Sequence, residues 1–210
     1  MFAKFPLFQS HLDMAHSYWQ RIVLPGDTVI DATCGNGHDT LALARMALTP
    51  EMGALYGLDI QPKAVEGCRR ILQENLPADT LTRVTLHTGC HSCFPASISP
   101  HSVRLIVYNL GYLPGGDKSL TTAAESTIAS LEAAKGLLMP GGALSITCYP
   151  GHAEGLREEG VVFEWSAKLE PQEWSCCHHR WLNRKKAPSL LFVQKGMETS
   201  LYRRGALSFM

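Results

Sequence analysis

The feature that most constrains this chain is a recurrence. A short apolar run rich in β-branched residues is followed by a stretch of helical periodicity, again and again along the length. The strand-like runs fall at 28–32, 54–59, 84–87, 103–109, 143–148, 175–182 and 189–195. The helical patterns fall near 9–22 and at 39–47, 63–75, 121–138 and 153–168. Runs such as VRLIVYNL and GALSITCYP are almost continuously apolar, as expected of strands covered on both faces. Alternating elements of this kind predict an α/β fold, a mostly parallel, doubly wound sheet of seven strands with helices on both faces. The last two strands are separated only by LNRKKAP, too short for a helical crossover, so they should close the sheet as a C-terminal antiparallel hairpin.

With 210 residues, 45% of them hydrophobic, the chain has enough apolar material for one substantial core. We expect one domain over 1–196 followed by a tail, 197–210. No window approaches the roughly 18 uninterrupted apolar residues of a spanning helix. The opening MFAKFPLFQSHLDMAHS lacks a signal peptide's apolar core and cleavage site, which argues against membrane insertion and secretion. Seven cysteines, an odd number without a secretory signal, favour free thiols in a reducing cytoplasm. The net charge of zero conceals an asymmetry. Residues 1–160 carry 11 Lys+Arg against 15 Asp+Glu, whereas 161–210 carry 8 against 4. A polyanion would dock at that basic end; an ordinary solvated surface is the plainer alternative.

In a doubly wound sheet, ligands bind at the carboxyl ends of the strands, so the loops after each strand hold the chemistry. The first reads Asp31-Ala32-Thr33-Cys34-Gly35-Asn36-Gly37-His38-Asp39-Thr40 before a helix. Two glycines in a strand-to-helix turn let the backbone approach a ligand, and the helix start offers unpaired N–H groups. A dinucleotide fingerprint wants a third glycine where this chain has Thr40. The acid four residues before Gly35 instead resembles motif I of S-adenosylmethionine (SAM) methyltransferases. That makes Asp31, Thr33, Gly35, Gly37 and Thr40 cofactor candidates, against a merely structural glycine turn. Asp59 ends the second strand 22 residues after Gly37, where a carboxylate can accept both ribose hydroxyls. Gln61 adds a ribose or adenine contact. The alternative for Asp59 is an N-cap for the helix that follows. The third strand leads to Gly89-Cys90-His91-Ser92, where His91 and Ser92 are candidates for the adenine pocket.

The fourth loop, Asn109-Leu110-Gly111-Tyr112, resembles the Asn-Pro-Pro-Tyr loop of amino-group methyltransferases. There an amide oxygen and a backbone carbonyl hold the N–H groups of an amine and aim its lone pair at the methyl. Asn109 is thus catalytic and also borders the cofactor, and Tyr112 walls the substrate or simply packs. A protonated amine cannot attack, so a proton leaves to His152, to His91 or to water.

HLDMAHSYWQRIVLPGDTVIDATCGNGHDT, YGLDIQ, NLGYLPGGDKSLTT, YPGHAEG and NRKKAPSLLFVQK occur in the order and spacing of the MnmM (YtqB) family, also labelled rRNA methylases. The resemblance spans roughly residues 8–196. It implies a Rossmann-like class I methyltransferase that uses SAM to methylate the amine of 5-aminomethyl-2-thiouridine at the tRNA wobble position. It further implies the tRNA anticodon stem-loop as partner and a homodimer as assembly. By matching position, Asn36, Asp39, Asp59, Gln61 and His91 would hold the cofactor. Asn109, Tyr112, Gly115, Gly116, Asp117, Lys118, Tyr149, Gly151 and His152 would form the target pocket. Before the last strand the family commonly has Gln and Asn where this chain has Arg184 and Lys186; Asn183 and Pro188 match.

That departure has a physical use. His178, His179, Arg180, Arg184, Lys185 and Lys186 lie near Trp174 and Trp181, a mixture of phosphate-neutralising and base-stacking groups. With Asn183, the last three are candidate RNA contacts; a solvated hairpin tip with core tryptophans is the alternative. Cys90-x-x-Cys93 with His91, and Cys176-Cys177-His178-His179, have zinc-ligand residue types. Neighbours on a strand point to opposite faces, so no metal is expected. Two other classes remain open: a methyltransferase for another RNA or a small amine, and a non-catalytic RNA-binding module.

Overall fold

Thr28–Asp31 (β1) lies inside a seven-stranded sheet, flanked by Ala54–Asp59 (β2) and Val103–Leu110 (β4), both parallel to it. The computed structural model describes residues 10–111, 122–184 and 186–197. Val84–Thr88 (β3) pairs with β2, and Leu138–Cys148 (β5) with β4, again in parallel. Ser189–Lys195 (β7) runs antiparallel to β5, and Trp174–His179 (β6) closes the sheet as the outer arm of a hairpin with β7. The strand order is β3-β2-β1-β4-β5-β7-β6, so the order reverses between β1 and β4. The expected α/β fold, with its mostly parallel sheet and C-terminal hairpin, is therefore present.

Side-chain alternation on β4 shows how the sheet divides two cores. Leu105 and Val107 face a cluster built with Trp19, Leu43, Val65 and Leu72. Ile106 and Tyr108 face the other, with Leu131, Leu138 and Val162. The first layer is made by His11–Ile22 (α1), His38–Ala47 (α2) and Pro62–Asn75 (α3); the second by Ala124–Leu137 (α5) and Ala153–Ala167 (α6).

α1 begins where Ser10 Oγ accepts the N–H of Asp13. It is fastened to the sheet by Trp19, whose buried indole donates to Ser145 Oγ at 2.9 Å. Truncating a tryptophan so enclosed costs about 3–5 kcal/mol.

Three local details depart from the sequence expectation. β5 starts five residues early, because Met139–Pro140–Gly141–Gly142 loops out as an irregularity between the pairs Val103↔Leu138 and Leu105↔Ala143. Gly141 sits there at φ +77°. The single turn Ala78–Leu81 (α4) has too few residues for a periodic signal. β6 ends at His179, so 180–182 belong to the connection and not to the strand.

Candidate functional site

The carboxyl ends of β1, β2, β4 and β5 and the segment after β3 surround a cleft of about 1180 Å³. That volume is sufficient for a nucleoside cofactor together with a second ligand. The β1–α2 loop supplies Thr33, Cys34, Gly35, Asn36 and Gly37 to its wall, and the first turn of α2 supplies Asp39. Gly37 is at φ +85°, and a Cβ there would lie 2.8 Å from Cys68 Cα, so this turn needs glycine for its conformation and for the close approach of α3.

Asp31 and Thr40 do not line the cleft. The Asp31 carboxyl is completely buried beneath the loop, where it accepts from Thr40 Oγ1 at 2.6 Å and from Thr33 N at 3.2 Å. Burial, and next the Asp39 carboxylate, push it up to about 7. These two residues shape the loop from below, a role set by their inward side of the strand and helix.

Asp59 stands at the tip of β2 on the cleft wall. Its Oδ2 accepts from Gly35 N at 3.0 Å and its Oδ1 from Gln61 N at 2.9 Å. It is not the N-cap of α3, a position taken by Gln61 with Pro62 following. Each oxygen keeps a second lone pair for a ligand hydroxyl. After β3, His91 is buried with its Nε2 lacking a partner among the described residues. Burial pushes the ring down to about 4, so at neutral pH it is uncharged and is a poor proton acceptor. It lines the cleft with Cys90, whereas Ser92 turns aside to Cys90 Sγ at 3.1 Å.

These features fit SAM. Gly35, Asn36 and Gly37 offer close backbone approach, Asp59 an acceptor for the ribose, and His91 a nitrogen without a partner among the described residues for a base; bound there, SAM supplies an electrophilic methyl group.

Across the cleft, Asn109 is the last residue but one of β4. Its backbone N–H donates to Thr33 Oγ1 at 2.7 Å, and its Nδ2 donates to Asp39 Oδ2 at 2.9 Å. An ionised carboxylate only accepts, so the amide NH₂ must face Asp39 and the carbonyl Oδ1 turns away from it. β5 brings Tyr149, Gly151 and His152 to the same wall. Tyr149 meets His11 of α1, Oη to Nε2 at 3.2 Å, and burial pushes its phenol up to about 12. His152 caps α6, its Nδ1 accepting from Gly155 N at 3.1 Å. His152 therefore caps α6 through Nδ1 while also lining the cleft.

Tyr112, Gly115, Gly116, Asp117, Lys118 and Lys185, and the tail from 198, lie outside the described residues. Gly111 and Thr122 are bonded to each other: Thr122 N donates to Gly111 O, Gly111 N to Thr122 Oγ1, and that hydroxyl to the buried Glu158. Lys186, on the β6–β7 connection, reaches the cleft, while Asn183 and Arg184 are exposed and outside its lining. The Arg184 guanidinium stacks over Trp181 at 4.4 Å. His178 and His179 belong to opposite faces of β6: one packs on Phe163 of α6, the other bonds Tyr18 Oη of α1 at 3.1 Å. Neither a shared metal nor a joint phosphate contact suits that arrangement. His11 and His16 of α1 lie in none of the loop motifs and approach the site only through packing of the helix.

A family model described as "Putative rRNA methylase" matches residues 55–195. A protein of Arabidopsis thaliana named tRNA (mnm(5)s(2)U34)-methyltransferase, chloroplastic, is 40% identical over 187 residues, 87% of this chain and 68% of its own length. Among solved structures, one from Clostridium thermocellum with the family's description is 33% identical, with TM-score 0.83 over 90% of this chain and 98% of that one. A Streptococcus mutans methyltransferase structure, in complex with SAH, is 25% identical, with TM-score 0.76 over 90% of this chain and 99% of that one. With the class I methyltransferase fold, the glycine loop and these matches in one chain, this protein belongs to the rRNA methylase family that its loops resemble.

Proposed function

We propose that the cleft transfers a methyl group from SAM to the amine of 5-aminomethyl-2-thiouridine at the tRNA wobble position, forming 5-methylaminomethyl-2-thiouridine. The observation that carries this reading is the orientation of Asn109. Its amide nitrogen is committed to Asp39, which leaves an amide oxygen as acceptor at the end of β4, a polarity suited to an N–H donor. The Arabidopsis relative, named for the same modified uridine, supports the choice of substrate.

Asn109 Oδ1 and the adjoining carbonyl hold the amine and direct its lone pair, so orientation supplies much of the acceleration. Tyr149 and Gly151 form the facing wall, with Tyr149 uncharged at neutral pH. Asp59, Gly35, Asn36 and Gln61 hold the ribose and amino-acid ends of the cofactor, and His91 the base. The anticodon stem-loop approaches over the β6–β7 connection, because Lys186 joins that basic segment to the cleft mouth. Tyr112, Gly115, Gly116, Asp117 and Lys118 are assigned to the target pocket by the family resemblance alone, and Lys185 to RNA contact by the basic sequence around it. The protein works as a homodimer in the cytoplasm, where its seven free thiols suit a reducing medium. No described helix is long and apolar enough to cross a membrane.

The test is mass spectrometry of tRNA nucleosides after incubation with SAM and tRNA carrying 5-aminomethyl-2-thiouridine. A gain of one methyl on that nucleoside is expected. Cofactor binding without that gain would overturn the substrate assignment and turn the search to other RNAs and small amines.

A further inference from the structure

Nothing in the loop motifs marks His16, yet it belongs to a chain of contacts that ends at the methyl-acceptor wall. Trp19 fastens α1 to the sheet, and the His16 ring packs on that indole with centroids 4.5 Å apart. From there His16 Nε2 donates to Asp39 Oδ1 at 2.8 Å, while Asp39 Oδ2 accepts from Asn109 Nδ2 at 2.9 Å. The two ends of one carboxylate are thus divided between α1 and β4. The His16 and Asp39 side chains are 34% and 16% exposed, sheltered enough for these bonds to hold a geometry.

We propose that His16 and Asp39 are positioning residues for methyl transfer: His16 holds Asp39, and Asp39 locks the Asn109 amide with its oxygen toward the target amine. This rests on the reading of Asn109 as the amine acceptor. The backbone of Asn109 is already tied to Thr33 Oγ1, so the important freedom left is rotation of the amide. A flipped amide would set its carbonyl against the Asp39 carboxylate and offer NH₂ donors to the amine's own N–H groups. Asp39 opposes that flip electrostatically, and His16 keeps Asp39 from swinging away. On this account Asp39 serves the methyl acceptor and not the cofactor.

The experiment compares His16→Ala, His16→Gln, Asp39→Ala, the double variant and Asn109→Ala by steady-state kinetics on the modified tRNA, calorimetric SAM affinity and melting temperature. We expect His16→Ala to lower kcat by about 10-fold, with KM for tRNA and SAM affinity within about threefold. His16→Gln, whose amide nitrogen can donate in place of Nε2, recovers most of the loss. Asp39→Ala lowers kcat at least as far, and the double variant is no worse than Asp39→Ala alone, because His16 acts through Asp39. If His16→Ala does not fold, His16→Met keeps the packing on Trp19 without a donor and should show the same kcat loss. Full turnover in folded His16→Ala or His16→Met, or a large loss of SAM affinity with normal saturated kcat in Asp39→Ala, overturns the proposal while leaving the function intact. Near-normal turnover in Asn109→Ala removes the reading of Asn109 itself and this proposal with it.

Discussion

Asp59 Oδ2 accepts the N–H of Gly35 at 3.0 Å, which ties the tip of β2 to the glycine loop that follows β1. One carboxylate therefore shapes the loop and lines the cleft at the place where the proposed function sets the ribose. Replacing it disturbs both functions together.

Asp59→Ala should raise the dissociation constant for SAM about 100-fold. Each hydrogen bond to a charged acceptor is worth about 1.5–3 kcal/mol, and the loop loses its anchor as well. Isothermal calorimetry measures this directly; an unchanged constant means the ribose lies elsewhere.

Gly37→Ala should destabilise the fold by about 2–3 kcal/mol in urea unfolding. A side chain at φ +85° is strained by about 1–2 kcal/mol, and the new Cβ meets Cys68 Cα at 2.8 Å. Because that atom is backbone, adding Cys68→Ala should not restore stability. Full rescue by the second substitution contradicts the close approach of α3.

The buried Asp31 carboxyl, raised to about 7 from its ordinary 3.8, binds a proton more tightly in the folded protein than in the unfolded chain. Its contribution to stability is complete below about pH 4 and is lost as pH rises through 7. The cofactor-free protein should therefore lose more stability between pH 4.5 and 7.5 than Asp31→Asn does. Urea titrations at the two pH values check the difference, and equal losses show that Asp31 titrates as an ordinary carboxyl.

Arg184, Lys185 and Lys186 changed together to Ala should weaken tRNA binding and flatten its salt dependence by about 2 in log–log slope, roughly 0.7 per lost phosphate contact. Fluorescence anisotropy over a salt series measures this. An unchanged slope shows that the connection beside Trp181 is only a solvated surface.

The glycine loop and Asp59 were legible because their geometry is local. A strand end, a turn requiring φ above zero and a helix start follow one another within a few residues, and turn chemistry is written in those residue types. Asp31 and Thr40 show the limit of that legibility. Both belong to the motif, but the inward side of β1 and α2 takes them under the loop, away from the cleft. His152 shows another limit. Its residue type suggests proton transfer, whereas the start of α6 uses its Nδ1 as a cap. The basic segment near 178–186 likewise reads as one patch, yet strand alternation sends His178 to α6 and His179 to α1.

By itself the sequence determined the alternation of strands and helices, the terminal hairpin and the loops that surround the cleft, since hydrophobic periodicity and turn residues act over a few neighbours. Only the tertiary structure decided that His16 reaches Asp39 across 23 residues, that Asp39 holds Asn109 across 70, and that His11 meets Tyr149 across 138. Those meetings depend on where packing of the whole core sets α1 against the sheet, and no local pattern carries that information.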